Sequence, residues 1–140
     1  MVMEAGGHKV VVADSDRTVL ELLQIRLDVA GYHACVARTG VDLLDMLKYM
    51  RPAALVLDKG LAEMDGFEVL QAIGKRAEKP PPTLIIGKQL GIEDIKLARS
   101  LGATDFMIKP FSGADVIERV SRMLRATTTQ PQKKVMFLNT

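Results

Sequence analysis

Acidic and basic side chains follow three of the apolar runs in this 140-residue chain. Asp14 and Asp16 come directly after the run HKVVVA. Asp58 ends a second run, and Lys109 follows a third. Carboxylates brought together repel one another, and a divalent cation relieves that cost. Magnesium takes oxygen ligands and keeps several waters, so two carboxylates and one backbone carbonyl suffice to hold it. Such residues suit the transfer of a phosphoryl group, which mainly requires positioning and balanced charge.

A site of this kind requires the three runs to be strands whose carboxyl ends meet. Short β-branched, apolar runs indicate buried strands, and stretches with apolar residues at helical spacing separate them. Five predicted strands alternate with five predicted helices, which favours a parallel sheet with helices on both faces. We therefore predict a doubly wound five-stranded α/β fold, with its site beyond the carboxyl ends of the strands. The predicted strands cover residues 8–13, 33–37, 54–58, 83–86 and 104–108.

Polar caps, glycine and proline mark the predicted helix ends. The segment Asp14-Ser15-Asp16 is typical of a helix start, and Gly31 is placed to end the first helix. Thr39 is a candidate cap for the second helix, which Pro52 stops. The last helix is expected over about residues 112–124.

The end of the chain differs in composition from the rest. Residues 126–140 are first polar and then apolar, so we predict a domain over residues 1–125 followed by a flexible tail. The apolar stretch VMFL in this tail fits an extra strand, a docking peptide or disorder, and the sequence does not choose among them.

Composition excludes several classes of function. A net charge of +2 and six aromatic residues without Trp argue against nucleic-acid binding. No apolar run has the length of a membrane span, and the first residues lack the pattern of a signal peptide. A cytoplasmic location and no membrane partner are therefore expected. Cys35 is the single cysteine, so no internal disulfide is possible.

Four segments together resemble one protein family. They read VVVADSD, LVLDKGLAEMDGFEVL, PTLIIG and GATDFMIKPF, and in this order they are similar to the receiver domains of response regulators. The resemblance extends from about Lys9 to Arg125. Its most specific parts are Asp58 followed eight residues later by Gly66, and the GATDFMIKPF segment. It implies a flavodoxin-like receiver fold.

The resemblance also implies a role for each matching position. Asp58 is the expected phosphoacceptor. Asp14 and the backbone carbonyl of Gly60 are expected to join Asp58 in binding Mg²⁺. Lys109 is the expected lysine of the site, and its peptide bond to Pro110 is expected to be cis.

Some positions depart from the family pattern. Ser15 stands where a second acid usually contacts the metal, so weaker binding is expected, with Ser15 or nearby Asp16 as a partial substitute. Gly87 stands where a hydroxyl usually binds the phosphoryl group and draws the adjacent loop inward. The switch at Gly87 and at the expected switch aromatic, Phe106, is therefore predicted to be weak or absent. Lys59 is unusual beside the acceptor and is expected to alter the local field or the choice of partner.

The function implied by the resemblance is two-component signal transduction. A histidine kinase or a phosphotransfer protein is expected to donate the phosphoryl group to Asp58. The stand-alone domain is then expected to signal by binding a protein through helix 4, strand 5 and helix 5, around residues 92–124. It is not expected to be an enzyme, apart from slow self-dephosphorylation.

Two binding functions remain as alternatives. Ser15 and Gly87 motivate a phosphorylation-independent adaptor, in which the fold serves only as a binding platform. A nucleotide second messenger is a further possibility, and its contacts would be chosen from Arg99, Arg119, Arg122 and Arg125.

An enzymatic alternative comes from the segment DSDRT. It matches the DxDxT signature of haloacid-dehalogenase-type phosphatases, with Asp14 as nucleophile, Asp16 as general acid and Thr18 in support. The short chain and a helix pattern that begins directly after Asp16 disfavour it. The plainest interpretation of both acids is that they cap this helix.

Overall fold

The structure, a computed structural model, describes residues 7–76 and 80–138, with side chains described up to residue 126. Strands and helices alternate along it as predicted. The strands are β1 (Lys9–Ala13), β2 (His33–Ala37), β3 (Ala54–Asp58), β4 (Thr83–Gly87) and β5 (Asp105–Ile108). The helices are α1 (Arg17–Val29), α2 (Gly40–Met46), α3 (Gly66–Arg76), α4 (Ile92–Ser100) and α5 (Gly113–Leu138). Within these ranges, no helix is long and apolar enough to cross a membrane.

The strands form one sheet in the order β2-β1-β3-β4-β5, and every neighbouring pair is parallel. This confirms the predicted doubly wound α/β fold. From β1 the chain moves to one edge of the sheet, and from β3 it moves to the other, so the direction reverses between β1 and β3. Loops that leave such a point in opposite directions open a crevice at the carboxyl ends of the strands.

Two apolar layers sandwich the sheet because successive strand residues point to opposite faces. On β1, Val11 belongs to the layer covered by α2, α3 and α4, whereas Val10 and Val12 belong to the layer covered by α1 and α5. Strands β3 and β4 are buried along their whole length. This double cover explains why these strands are continuous apolar runs rather than alternating ones.

Two helix ends follow the predicted capping signals. Gly31 has a φ of 95°, a left-handed conformation that glycine adopts without steric cost, and it lies directly after the C-cap of α1. The side chain of Thr39 accepts a hydrogen bond from the backbone N–H of Asp42 at 3.0 Å and so caps α2.

The last helix is longer than expected. Its predicted end lay near Leu124, but α5 continues to Leu138 and takes in the VMFL stretch, which is therefore helical and not a strand. Between Leu124 and Pro131 the sequence has no glycine that would end a helix. Nothing in the sequence accounts for its continuation past Pro131, a residue that usually ends or kinks a helix. The flexibility predicted for residues 126–140 concerns motion and stays a prediction.

Candidate functional site

Asp14 and Asp58 lie side by side at the point where the sheet reverses. Ala13 pairs with Leu57 across β1 and β3, which places the next residue of each strand at the same edge. Asp14 is 1% exposed and Asp58 is 7% exposed, so water screens neither charge well. Buried carboxylates this close require a compensating cation.

Lys109 supplies a positive charge to both carboxylates. Its Nζ lies 2.7 Å from Oδ2 of Asp14 and 3.4 Å from Oδ1 of Asp58. Its backbone N–H donates to the carbonyl of Gly87 at 2.8 Å, which fixes the end of β5 beside β4. The Lys109–Pro110 peptide bond is cis, as the resemblance implied.

Burial and neighbouring charges shift two pKa values within this group. Burial, and then the charge of Asp14, raise the pKa of Asp58, against the opposing effects of Lys109 and the backbone N–H of Gly60. Burial alone would lower the pKa of Lys109, but its hydrogen bond to Asp14 and the charges of both carboxylates outweigh this and raise it. Two carboxylates share one ammonium group, so the ionised site keeps a net negative charge that suits a further cation.

The two substitute metal ligands suggested by the sequence make other contacts. The hydroxyl of Ser15 donates to the carbonyl of Arg38 at 3.1 Å and accepts from the backbone N–H of Ala62 at 3.0 Å. The carboxylate of Asp16 accepts from the backbone N–H of Thr18 at 2.9 Å and caps α1. Across residues 7–76 and 80–138, three His, Cys, Asp or Glu side chains never gather closely enough to hold a metal ion unaided.

The remaining donors nevertheless fit a magnesium ion. Asp14, Asp58 and Gly60 line one cleft of about 470 Å³, together with Gly87 and Lys109. Two carboxylates and a backbone carbonyl are hard oxygen donors, and magnesium fills the rest of its shell with water. The donor set has one acid fewer than the resemblance implies, because residue 15 is a serine, and its hydroxyl contacts Arg38 and Ala62.

A close backbone contact explains the glycine that follows Asp58 at a fixed spacing. A Cβ atom on Gly66 would lie 2.7 Å from the backbone oxygen of Asp58, so any other residue would push α3 away from the end of β3. The N–H of Gly66 also donates to the carbonyl of Lys59 at 2.9 Å. Gly66 therefore closes the loop that presents Asp58.

Lys59 turns away from the carboxylates and contacts the loop after β4. Its Nζ donates to the carbonyl of Gln89 and to the carboxylate of Asp94, each at 3.0 Å. A Cβ atom on Gly87 would lie 3.3 Å from the Cβ of Lys59 and 3.5 Å from the Cδ2 of Leu90. The sequence marked Lys59 as unusual but could not show these partners, which are 30 and 35 positions away.

The aromatic switch position and the four arginines lie along β5, α4 and α5. The half-buried ring of Phe106 packs against the core, and the guanidinium carbon of Arg99 lies 5.3 Å from its centroid. Arg119 donates to the carboxylate of Asp105 at 3.0 Å. Two arginines contact the carboxylate of Glu118, at 2.9 and 3.7 Å: Arg122 and Arg125. The arginines thus have partners within the protein, and the second-messenger alternative gains no support.

The family model described as response regulator receiver domain matches residues 10–121. Solved receiver structures match as well. The chemotaxis response regulator CheY4 of Vibrio cholerae has 24% identity and a TM-score of 0.78, over 84% of this chain and 98% of that chain. The receiver domain of Francisella response regulator 1452 has 25% identity and a TM-score of 0.79, over 86% of this chain and 98% of that chain. A CheY-like receiver domain protein from Methanospirillum hungatei JF-1 has 20% identity and a TM-score of 0.82, over 88% of this chain and 98% of that chain. These likenesses show a shared fold.

Proposed function

The chain belongs to the response regulator receiver domain family, and from this premise we propose that it accepts a phosphoryl group on Asp58 and signals by binding a partner protein. One observation supports this most strongly. The carboxylate of Asp58 lies at the reversal point of the sheet, lines an open cleft, and has Asp14 and Lys109 as its charged neighbours. The proposed nucleophile, the proposed metal-binding acid and the ammonium group proposed to pair with the transferred charge therefore line one cleft.

The proposed reaction needs little from the protein beyond position and charge. An oxygen of the Asp58 carboxylate attacks the phosphorus of a phosphohistidine, a P–O bond forms, and the P–N bond to the imidazole breaks. The imidazole leaves with the bonding electron pair, and the product is an acyl phosphate on Asp58. The attacking group is already ionised, so no general base is required. Lys109 is placed to pair with the oxygens of the arriving phosphoryl group.

Magnesium is the proposed cofactor of this site. Asp14, Asp58 and the carbonyl of Gly60 would hold it, and when bound it would neutralise the charge on the phosphoryl oxygens. Ser15 is expected to weaken its binding, since the hydroxyl is used to tie two loops together.

The proposed partner surface is α4, β5 and the first part of α5. Three large apolar side chains on it are exposed to solvent: Ile92, Leu97 and Ile108. Exposed apolar side chains are available to a partner protein and contribute to binding where they form a patch. A histidine kinase or a phosphotransfer protein is the proposed donor, and the cytoplasm is the proposed location.

A phosphorylation-independent adaptor is the second candidate. Two observations favour it. Gly87 offers no hydroxyl to a phosphoryl group, and the hydroxyl of Ser15 is engaged away from the carboxylates. The phosphatase alternative lacks such support, because the carboxylate of Asp16 caps α1 instead of standing free as a general acid.

The proposal is tested by intact mass after incubation with magnesium and acetyl phosphate. Wild type and Asp45→Asn, which removes an exposed acid on α2, are expected to gain the mass of one phosphoryl group. Asp58→Asn is expected to gain none. If wild type gains no mass from acetyl phosphate or from a phosphorylated histidine protein at saturating magnesium, the adaptor replaces the phosphoacceptor as the favoured function.

A further inference from the structure

One lysine fastens the loop between β4 and α4 to the strand that carries Asp58. Lys59 directly follows Asp58, and its Nζ donates to the carbonyl of Gln89 and to Oδ2 of Asp94, each at 3.0 Å. The same oxygen of Asp94 accepts the backbone N–H of Gly91 at 3.0 Å. The lysine is therefore linked, directly or through Asp94, to Gln89 and Gly91 of the connection and to the first turn of α4.

This ion pair is better shielded than a typical surface pair. The side chains of Lys59 and Asp94 are each 30% exposed. The hydrogen bond from Lys59, followed by that from Gly91, lowers the pKa of Asp94, so the carboxylate stays ionised at neutral pH. A shielded pair with a second hydrogen bond to a backbone carbonyl holds its geometry more firmly than an isolated exposed pair.

Residue 87, at the end of β4, lies beside the start of this lysine side chain. A Cβ atom on Gly87 would lie 3.3 Å from the Cβ of Lys59, which is a tight contact. It would also lie 3.5 Å from the Cδ2 of Leu90 in the same loop. Gly87 therefore lies directly beside the first carbon of the lysine side chain and beside Leu90 of the loop that the lysine contacts.

Residue 87 also has no side chain that could respond to a phosphoryl group on Asp58. A glycine at the end of β4 has no group with which to bind a phosphoryl oxygen, so it cannot draw the following loop towards it. The loop is instead held by Lys59, whose contacts require no phosphoryl group. Ile92, an exposed apolar residue of the proposed partner surface, lies between two of the fastened positions, Gly91 and Asp94.

We propose that the bridge from Lys59 to Asp94 and Gln89 is a permanent fastening of the β4–α4 loop, which holds the start of α4 in one position whether or not Asp58 carries a phosphoryl group. The fastening itself stands independently of the proposed function. Its consequence, a partner surface that phosphorylation does not remodel, rests on that function.

Amide hydrogen exchange of the full chain tests the fastening. In Lys59→Met we expect exchange over residues 89–95 to rise about threefold to tenfold, the effect of losing one shielded ion pair and one hydrogen bond. Lys48→Met is the matched control, because Lys48 pairs with Asp45 at 3.5 Å on an exposed surface. This control should leave amide exchange over residues 89–95 unchanged. Lys59→Arg should retain most of the protection of these residues against exchange.

Two outcomes of this first experiment would overturn the proposal. One is unchanged exchange over residues 89–95 in Lys59→Met. The other is a rise of equal size in β1, since that would mean a general loosening of the fold. Asp94→Asn removes the charge from the other side while keeping a side chain that can cap α4, and it should reproduce the local effect.

A second experiment compares free and phosphorylated wild type, with phosphorylation verified by intact mass. The change in exchange over residues 89–95 on phosphorylation should be smaller than the change caused by Lys59→Met. A change as large or larger would overturn the proposal. If the mass shows no phosphorylation, the proposed function fails, whereas the comparison of Lys59→Met with its control still decides on the fastening.

Discussion

The ammonium group of Lys109 lies 2.7 Å from an oxygen of Asp14, although 95 positions of sequence separate the two residues. Asp58 lies further away, with 3.4 Å between its nearest oxygen and the same nitrogen. Of the two carboxylates, Asp58 is therefore the less fully balanced. This asymmetry fits the roles proposed for them, since an acceptor must remain available while the acid beside it is held in place.

Removal of the Lys109 ammonium group, which Asp14 and Asp58 share, should destabilise the protein. Lys109→Met would leave two nearly buried carboxylates without their ammonium partner, and we expect it to lower the free energy of unfolding by about 3–5 kcal/mol at neutral pH. Lys88→Met is the matched control, because Lys88 lines the same cleft but is exposed, and it should change stability by less than about 0.5 kcal/mol. Urea unfolding measures the stability of both variants, and equal losses of stability would contradict the proposed charge balance.

The contribution of Lys109 should also depend on pH. Its pKa is raised in the folded state, so its stabilising effect is fully present below the usual value of 10.5 and is lost as the pH rises through the folded value. The difference in stability between wild type and Lys109→Met is thus expected to be constant near neutrality and to shrink above pH 10.5. A difference that stays constant in strong alkali would count against this interpretation.

Asp58 should make the protein less stable as it ionises. Because burial and Asp14 raise its folded pKa, the stability that is present below the usual value of 3.8 is lost as the pH rises through the folded value. We expect Asp58→Asn to match wild type in acid and to be more stable at neutral pH. Urea unfolding from acid to neutral pH measures the difference. A variant that is less stable than wild type at neutral pH would show that Asp58 is not strained by its surroundings.

A second acid beside Asp14 should strengthen magnesium binding. Ser15→Asp adds a carboxylate at the edge of the cleft, and we expect about tenfold less magnesium to give half-maximal phosphorylation. Ser100→Asp adds the same charge at a distant exposed site and should have no effect. Equal magnesium requirements in both variants would mean that residue 15 does not face the metal.

Asp16 should prove to be a structural residue. Asp16→Ala removes the cap of α1, and we expect it to cost about 1 kcal/mol of stability and to leave phosphorylation of Asp58 intact. Asp14→Asn should instead abolish phosphorylation, since it removes a proposed metal ligand. Loss of phosphorylation in a folded Asp16→Ala protein would assign Asp16 to the metal site after all.

The sequence predicts the sheet and the convergence of Asp14, Asp58 and Lys109 well, for a physical reason. Buried parallel strands require uninterrupted apolar runs, and parallel strands bring the residues at their carboxyl ends to one edge. The spacing between Asp58 and Gly66 is equally informative, because the short connection leaves no room for a Cβ atom at residue 66.

Side-chain direction in the loops was not predictable from the sequence. The hydroxyl of Ser15 binds Arg38 and Ala62, and the ammonium of Lys59 binds Asp94, all partners distant in sequence. Neighbouring loop residues have no fixed relative orientation, unlike residues in a strand or helix. The length of α5 escaped prediction as well, because polar residues such as Thr and Gln neither extend an apolar pattern nor end a helix.

The most direct test of the central claim identifies the residue that carries the phosphoryl group. After incubation with magnesium and acetyl phosphate, hydride reduction converts an aspartyl phosphate to homoserine, which peptide mass spectrometry locates in the chain. We predict homoserine at residue 58 in wild type, none in Asp58→Asn, and an unchanged signal in Asp45→Asn. Homoserine at residue 14 would contradict the account and support the phosphatase alternative, and no homoserine anywhere would contradict phosphorylation of this protein as such.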